Sequence, residues 1–181
     1  MSSWFCGNSH RPTIVEWVDD GELDVGLVRT PLLQGTHASL MPLEHDEFVA
    51  ALPRANPLAV QPELKLASLA SESFVMYASG QARGLRAAAM LVCQGGGFVP
   101  RIAQEAVQIQ TLLSLVESGL GVALVPSVMQ RFQSPKIAYR RIVDLPPSAR
   151  TGLALVYRPN MESAAARRFR AVAARAFNVL E

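Results

Sequence analysis

Apolar positions along this chain keep two rhythms. From Arg101 they recur at Ile102, Ala106, Ile109, Leu113 and Val116, steps of four, three, four and three that line one face of a helix. Pro100 suits the first helical position, where its missing N–H costs nothing. Gly119 supplies the left-handed residue that ends a helix cheaply. A helix is therefore predicted from Arg101 to Val116. The rhythm then changes: Gly121 to Val125 is apolar without alternation and stops at Pro126, the pattern of a strand buried on both faces. The same grammar occurs near the start. Ile14, Trp17 and Val18 form a helical face, Gly21 caps it, Leu23 to Val28 reads as the strand, and Pro31 closes the unit. Two helix–glycine–strand units are predicted, one near each end of the chain.

Between and after them lie further elements. Glu47 to Leu52 reads as a strand closed by Pro53, and Ser73 to Tyr77 as a strand followed by the polar turn Ala78-Ser79-Gly80-Gln81. A helix is predicted from Arg83 to Cys93, ending in Gly95-Gly96-Gly97. Lys136 to Val143 alternates, as an exposed or edge strand does, and Leu153 to Tyr157 is another buried strand. The last helix carries Phe169, Val172, Ala176 and Leu180 on one side, and Arg167, Arg168, Arg170 and Arg175 off that stripe as a solvated face. Alternating strands and helices predict an α/β protein with mostly parallel sheets. The repeated unit and two extended connectors predict two lobes, with the chain crossing between them near Pro53 to Ser71 and near Asp144 to Arg150.

Composition narrows the function. The chain has 181 residues, 50% of them hydrophobic and 18% charged, which fits one globular domain or two small lobes. Its net charge is +2, from 17 basic and 15 acidic residues, with no basic stripe, so no direct nucleic-acid contact is expected. Cys6 and Cys93 lie far apart, and His10, His37 and His45 form no ligand-type spacing; two reduced thiols and no metal are expected. No apolar run reaches the roughly 18 residues of a membrane span, and MSSWFCGNSH is not a secretory signal, which points to the cytoplasm. Ser127 follows a strand but lacks a GxSxG setting. Glu105 and Glu117 lie twelve apart on the predicted helix, more than three turns and too far for joint chemistry. GGGF at Gly95 is neither GxGxxG nor GK[ST]. Neither an enzyme nor a bound cofactor is expected.

A ligand site is expected where open α/β sheets place one, outside the carboxyl ends of strands. In the first unit that end is Arg29 and Thr30. In the second lobe it is the turn after Tyr77, reaching Ser79 and Leu85. The guanidinium of Arg29 suits a carboxylate, with a lobe-surface ion pair as its alternative role. Helix starts at Arg101 and near Pro12 are further candidate anion sites.

The strings DDGELDVGLVRTP, EFVAALPRANPLA, LASESFVMY, GFVPRIAQEAVQIQTLLSLVESGLGVALVP and RIVDLPP, in this order, resemble the effector-binding domain of LysR-type transcriptional regulators over roughly residues 9 to 178. Asn56 departs from the histidine the family often has before Pro-Leu-Ala. The resemblance implies two Rossmann-like lobes of the periplasmic-binding-protein type II kind. Residues 1–57 form an incomplete lobe one, 58–146 form lobe two, and 147–181 return to lobe one. It implies an inducer in the cleft between lobes, and a sensor acting within an oligomer of its own kind or with an intact regulator. Carried over residue by residue, the pocket positions are His10, Leu85 and Ile109, with Ser9 as the family's hydroxyl displaced by one. Phe98 is a further candidate, and core packing competes for both Phe98 and Ile109. The family's helix-turn-helix and first strand–helix unit have no counterpart here. An unpaired edge on the Leu23–Val28 strand is therefore expected, and with it an isolated chain that is poorly soluble or loosely packed in lobe one. A stand-alone solute-binding protein of the same fold is the alternative reading.

Overall fold

Thr13 and Glu16 set the point where the chain enters regular structure. In the computed structural model, which describes residues 13–32, 35–79, 83–146 and 149–179, the Glu16 N–H donates to the Thr13 hydroxyl and the Thr13 N–H to the Glu16 carboxylate, a reciprocal cap. Along the chain follow α1 (Ile14–Asp20), β1 (Val25–Thr30), β2 (Ser39–Asp46), β3 (Phe48–Pro53), β4 (Glu63–Leu64), β5 (Ser73–Tyr77) and α2 (Arg83–Gly95). Then come β6 (Arg101–Ala106), α3 (Ile109–Glu117), β7 (Ala123–Pro126), β8 (Ile137–Ile142), β9 (Thr151–Tyr157) and α4 (Ala164–Ala176). The predicted echo is present. Gly21 after α1 and Gly119 after α3 both sit at φ +84°, and each precedes a strand.

The residues cluster into two units. The first takes its described residues from Met1–Val28, Gln34–Leu43 and Leu153–Glu181, the second from Arg29–Leu33 and Glu44–Gly152. The chain first passes to the second unit after Val28 and enters its long stretch there at Glu44, ahead of β3, which is hydrogen-bonded to β7 and β8 of that unit. The return falls at 152/153, later than the Asp144–Arg150 connector. Val25 and Ala123, the strand starts of the echo, belong to different sheets.

The first unit is built on the sheet β1-β9-β2. Among the described strands β1 pairs on one side only, as predicted for Leu23 to Val28. Leu43, Leu155 and Ala173 form a core cluster there, flanked by Val25, Met41, Leu153 and Val179. α4 corrects the predicted stripe. Ala166, Ala173 and Ala174 are buried, while Phe169 and Val172 are 48% and 56% exposed. Small side chains let the helix come close to the sheet, and the larger apolar groups are left on its other side. Arg170 is not part of a solvated face: it pairs with Glu162 at 3.0 Å and lies 4.6 Å from the Tyr157 ring centroid. Leu180 lies outside the described residues.

The second unit holds the larger core. One sheet runs β4-β8-β3-β7 and a second pairs β5 with β6. A parallel bridge between Phe74 and Val122 joins β5 to the segment leading into β7. The pairing is mixed, not mostly parallel: β3 runs antiparallel to β7 and β8, while β4–β8 and β5–β6 are parallel. β3 is central, with Phe48 to Leu52 at most 4% exposed. β8, read from its alternation as an edge, lies between β4 and β3 and buries Ile137, Ala138 and Ile142.

The predicted Arg101 helix is the main correction. Arg101–Ala106 is a strand, β6, parallel to β5, and the helix begins only at Ile109, behind Gln108. In sequence the even step from Ile102 to Ala106 fits a regular strand as well as a helix, but in β6 a bulge between them breaks the alternation. Ile102 pairs with Phe74 and Gln104 with Val75, so Ala103 is the extra residue of a bulge. No helix N-terminus exists at Arg101 to bind an anion. Glu105 and Glu117 do not share a helix.

Cys93 sits on the inner face of α2, wholly buried, and burial pushes its thiol up to about 12. In an unfolded chain a thiol ionises near 8.5. Above that pH the unfolded state sheds a proton that the folded state keeps, so stability is full below it and falls as pH rises towards 12. Tyr77, also raised by burial, adds in the same direction once the pH passes 10. The urea midpoint should therefore be lower at pH 11 than at pH 8, and Cys93→Ala should flatten its decline between pH 8.5 and 10. Equal midpoints at pH 8 and 11 would contradict this.

Candidate functional site

Three parallel segments of the second unit end side by side. β5 stops at Tyr77, β6 at Ala106 and β7 at Pro126, and the Ala78 N–H donates to the Ala106 carbonyl at 2.9 Å to extend the β5–β6 ladder. Tyr77 is 1% exposed and its hydroxyl donates to the Leu124 carbonyl at 3.1 Å. Burial drives that hydroxyl well above its ordinary value, and the positive charge of Arg29 pulls it part of the way back. Arg29 lies at the carboxyl end of β1.

The first turn of α2 reaches the same edge. Arg86 donates through Nη1 to the Tyr77 carbonyl and to Glu105 Oε1, each at 2.6 Å. Its side chain is 24% exposed and that of Glu105 40%. A cation in a helix's first turn opposes the helix dipole; here a strand carboxylate and a strand-end carbonyl compensate it. Leu85 is half-buried beside it and packs on the core.

The predicted positions fall as follows. Arg29 and Thr30 end β1, Ser79 lies exposed in the turn after β5, and Leu85 opens α2. Ile109 is the first residue of α3, three past the end of β6, half-buried against the core. Phe98 lies elsewhere: its ring centroid is 5.9 Å from that of Phe74, near the amino end of β5. Ser9 and His10 lie outside the described residues. Arg86 and Glu105 were not picked out as site residues from the sequence. A basic residue early in a helix that follows a strand is the signal that could have found Arg86.

A second polar feature serves structure. Asp46 Oδ1 accepts from the Ser127 N–H at 2.9 Å and the Ser127 hydroxyl at 2.6 Å, tying the end of β2 to the short 3-10 helix Ser127–Arg131. The same carboxylate oxygen also accepts the Glu47 N–H at 2.8 Å. His45, Glu47, Arg141 and Arg150 line a hollow of about 520 Å³ beside this pair. Among the described residues no group of three or more His, Cys, Asp or Glu side chains could hold a metal ion, and no helix is long and apolar enough to cross a membrane.

Strands in three sheets with helices against them, and a polar edge at the carboxyl ends of parallel strands, define an α/β ligand-binding architecture. The LysR substrate binding domain model matches residues 7–178, and the chain belongs to that family. It is 32% identical over 154 residues to the uncharacterized HTH-type transcriptional regulator YnfL of Escherichia coli K12, covering 83% of this chain and 50% of YnfL. The chain thus spans about half the length of such regulators. It superposes on the C-terminal domain of a probable LysR family transcriptional regulator from Rhodococcus sp. RHA1 with a TM-score of 0.73, at 27% identity, over 87% of this chain and 77% of that one. The BenM effector-binding domain, solved with its effector benzoate, shares the fold. Its TM-score is 0.71 at 24% identity, over 92% of this chain and 78% of that one.

Proposed function

We propose that this chain senses a small carboxylate for a LysR-type transcriptional regulator, so that ligand binding here controls DNA-templated transcription by that regulator. Family membership supports the sensing role. The feature that supports the choice of ligand is Arg29, a guanidinium at the carboxyl end of β1, the kind of edge where α/β sheets bind ligands. A guanidinium fork and a carboxylate form paired, charge-assisted hydrogen bonds. Thr30 and Ser79 add hydroxyls, and Leu85 and Ile109 add apolar surface for the ligand's body. Ser9 and His10 complete the proposed set on the family resemblance alone. Binding acts by favouring one conformation of the sensor, and its effect is limited to the difference in affinity between the two states.

Calorimetric titration of the full chain with benzoate, acetate and succinate tests this. At least one is expected to bind, and Arg29→Gln should weaken it by about tenfold or more, the usual worth of a hydrogen bond to a charged group. Binding that Arg29→Gln leaves unchanged removes Arg29 from the site. No binding of any carboxylate overturns the reading of the ligand.

A further inference from the structure

The pairing of Arg86 with Glu105 has a property that a purely structural ion pair does not need. Both hydrogen bonds leave from one nitrogen, Nη1. Nε and Nη2 of the same guanidinium have no partner among the described residues, and the side chain keeps 24% of its surface in solvent. Among the described residues Glu105 accepts through Oε1 alone, and it belongs to β6, which pairs there with β5 only. The Tyr77 carbonyl also accepts from Nη1, so Arg86 keeps one partner when Glu105 turns away.

We propose that Glu105 is a built-in competitor for the ligand: an anionic effector binds by taking Arg86 from Glu105. The proposal rests on the reading that a carboxylate binds at this edge, and adds how the site selects it. In the empty site Glu105 spares Arg86 an unpaired charge, a position that is costly where solvent is limited. An incoming carboxylate must offer a better fork than Glu105 does, so a ligand that presents two oxygens to Nε and Nη2 wins, and a neutral analogue of the same shape does not. The exchange trades one charge-assisted pair for another. Its driving force is the geometry gained, since the guanidinium keeps its bond to the Tyr77 carbonyl.

The test is calorimetric titration of the full chain with benzoate, acetate and succinate, with benzamide as the neutral counterpart. Glu105→Gln keeps the shape and an acceptor oxygen but removes the competing charge. It should tighten carboxylate binding by about fivefold, the scale of one partly screened charge at this range, and leave benzamide unchanged. Arg86→Gln should weaken carboxylate binding by about tenfold or more. Because Arg86→Gln also loosens α2 from the strand ends, the gain on Glu105→Gln is the deciding result: a pair that merely braces the fold gives weaker or unchanged binding there, and that outcome overturns the proposal. Carboxylate binding that depends on Arg29 but is unmoved by Glu105→Gln leaves the functional reading standing and removes this one. If neither the wild type nor Glu105→Gln binds any carboxylate, both fall together.

Discussion

Gly121→Ala is expected to destabilise the protein by about 4 kcal/mol, the upper range for single substitutions. A Cβ at this position would lie 2.4 Å from the Ser73 carbonyl oxygen and 2.9 Å from its carbon. Both are backbone atoms of β5, so no side chain can swing away to relieve the contact. The only relief is to separate β5 from the segment leading into β7, which are tied there by Val75 N–H to Val122 O and Val122 N–H to Ser73 O, each 2.8 Å. Those bonds join β5 to the sheet that holds β3, and Phe74, Val75, Val122 and Ala123 around them are at most 1% exposed. Gly119→Ala is the control. Gly119 sits at φ +84° with nothing within 4 Å of a built Cβ, so it meets backbone strain but no clash and should cost about 1–2 kcal/mol. Urea denaturation followed by circular dichroism ranks the two. Equal midpoints for them would show that β5 and β7 do not approach as described.

The two glycines also mark what a sequence can and cannot convey. Gly21 and Gly119 were recognisable because a helical rhythm stops at each and a strand follows, and a left-handed cap is a local event. β3, β5 and β7 were recognisable because unbroken apolar runs suit strands buried on both faces. β6 was not. Its apolar residues, Ile102 and Ala106, fit a strand and a helix equally, and the choice is made by pairing with β5, a partner distant in sequence. α4 misled in a different way. Phe169 and Val172 outweigh alanine on any hydrophobicity scale, yet close approach to β9 selects Ala173 and Ala174 for the inner face. Parallel and antiparallel pairing left no trace either: β3 reads the same whichever way its neighbours run.

The same limits shaped the site. Arg29, Thr30, Ser79 and Leu85 could be placed because the rule that ligands lie beyond carboxyl ends needs only the strand ends, and those were correct to within two residues. The Arg86–Glu105 pair was hidden by the β6 error. With Glu105 inside a helix that started at Arg101, nothing brought it to α2. As a strand residue paired across from Met76, it stands next to the end of β5, where Arg86 finds it. Phe98 shows the converse. Its apolar character marked it as a pocket or core residue, and only the position of Phe74 shows which end of β5 it covers.

Glu162→Ala is expected to cost about 3 kcal/mol, and Arg170→Lys, with Glu162 in place, to destabilise the chain as well. Glu162 is 3% exposed at its side chain, and Arg170 binds it through two parallel bonds, Nε to Oε1 at 3.0 Å and Nη2 to Oε2 at 3.2 Å. The guanidinium also lies over the Tyr157 ring, a cation–π contact worth about 1 kcal/mol. Together these fix α4 to the end of β9. Removing the carboxylate takes two parallel charge-assisted bonds from a guanidinium whose side chain is 26% exposed. Lysine keeps the charge but has neither the planar fork nor the flat face for the ring. The discriminating variant is therefore the double change Glu162→Leu with Arg170→Met, which removes both charges and keeps their volume. It should be more stable than Glu162→Ala by about 1 kcal/mol or more, because two packed apolar groups need no hydrogen-bond partners, whereas the single variant loses both bonds of the fork and keeps the charge. A double variant less stable than Glu162→Ala would mean that the pair's attraction exceeds its desolvation, and that α4 is held to the sheet by charge more than by packing.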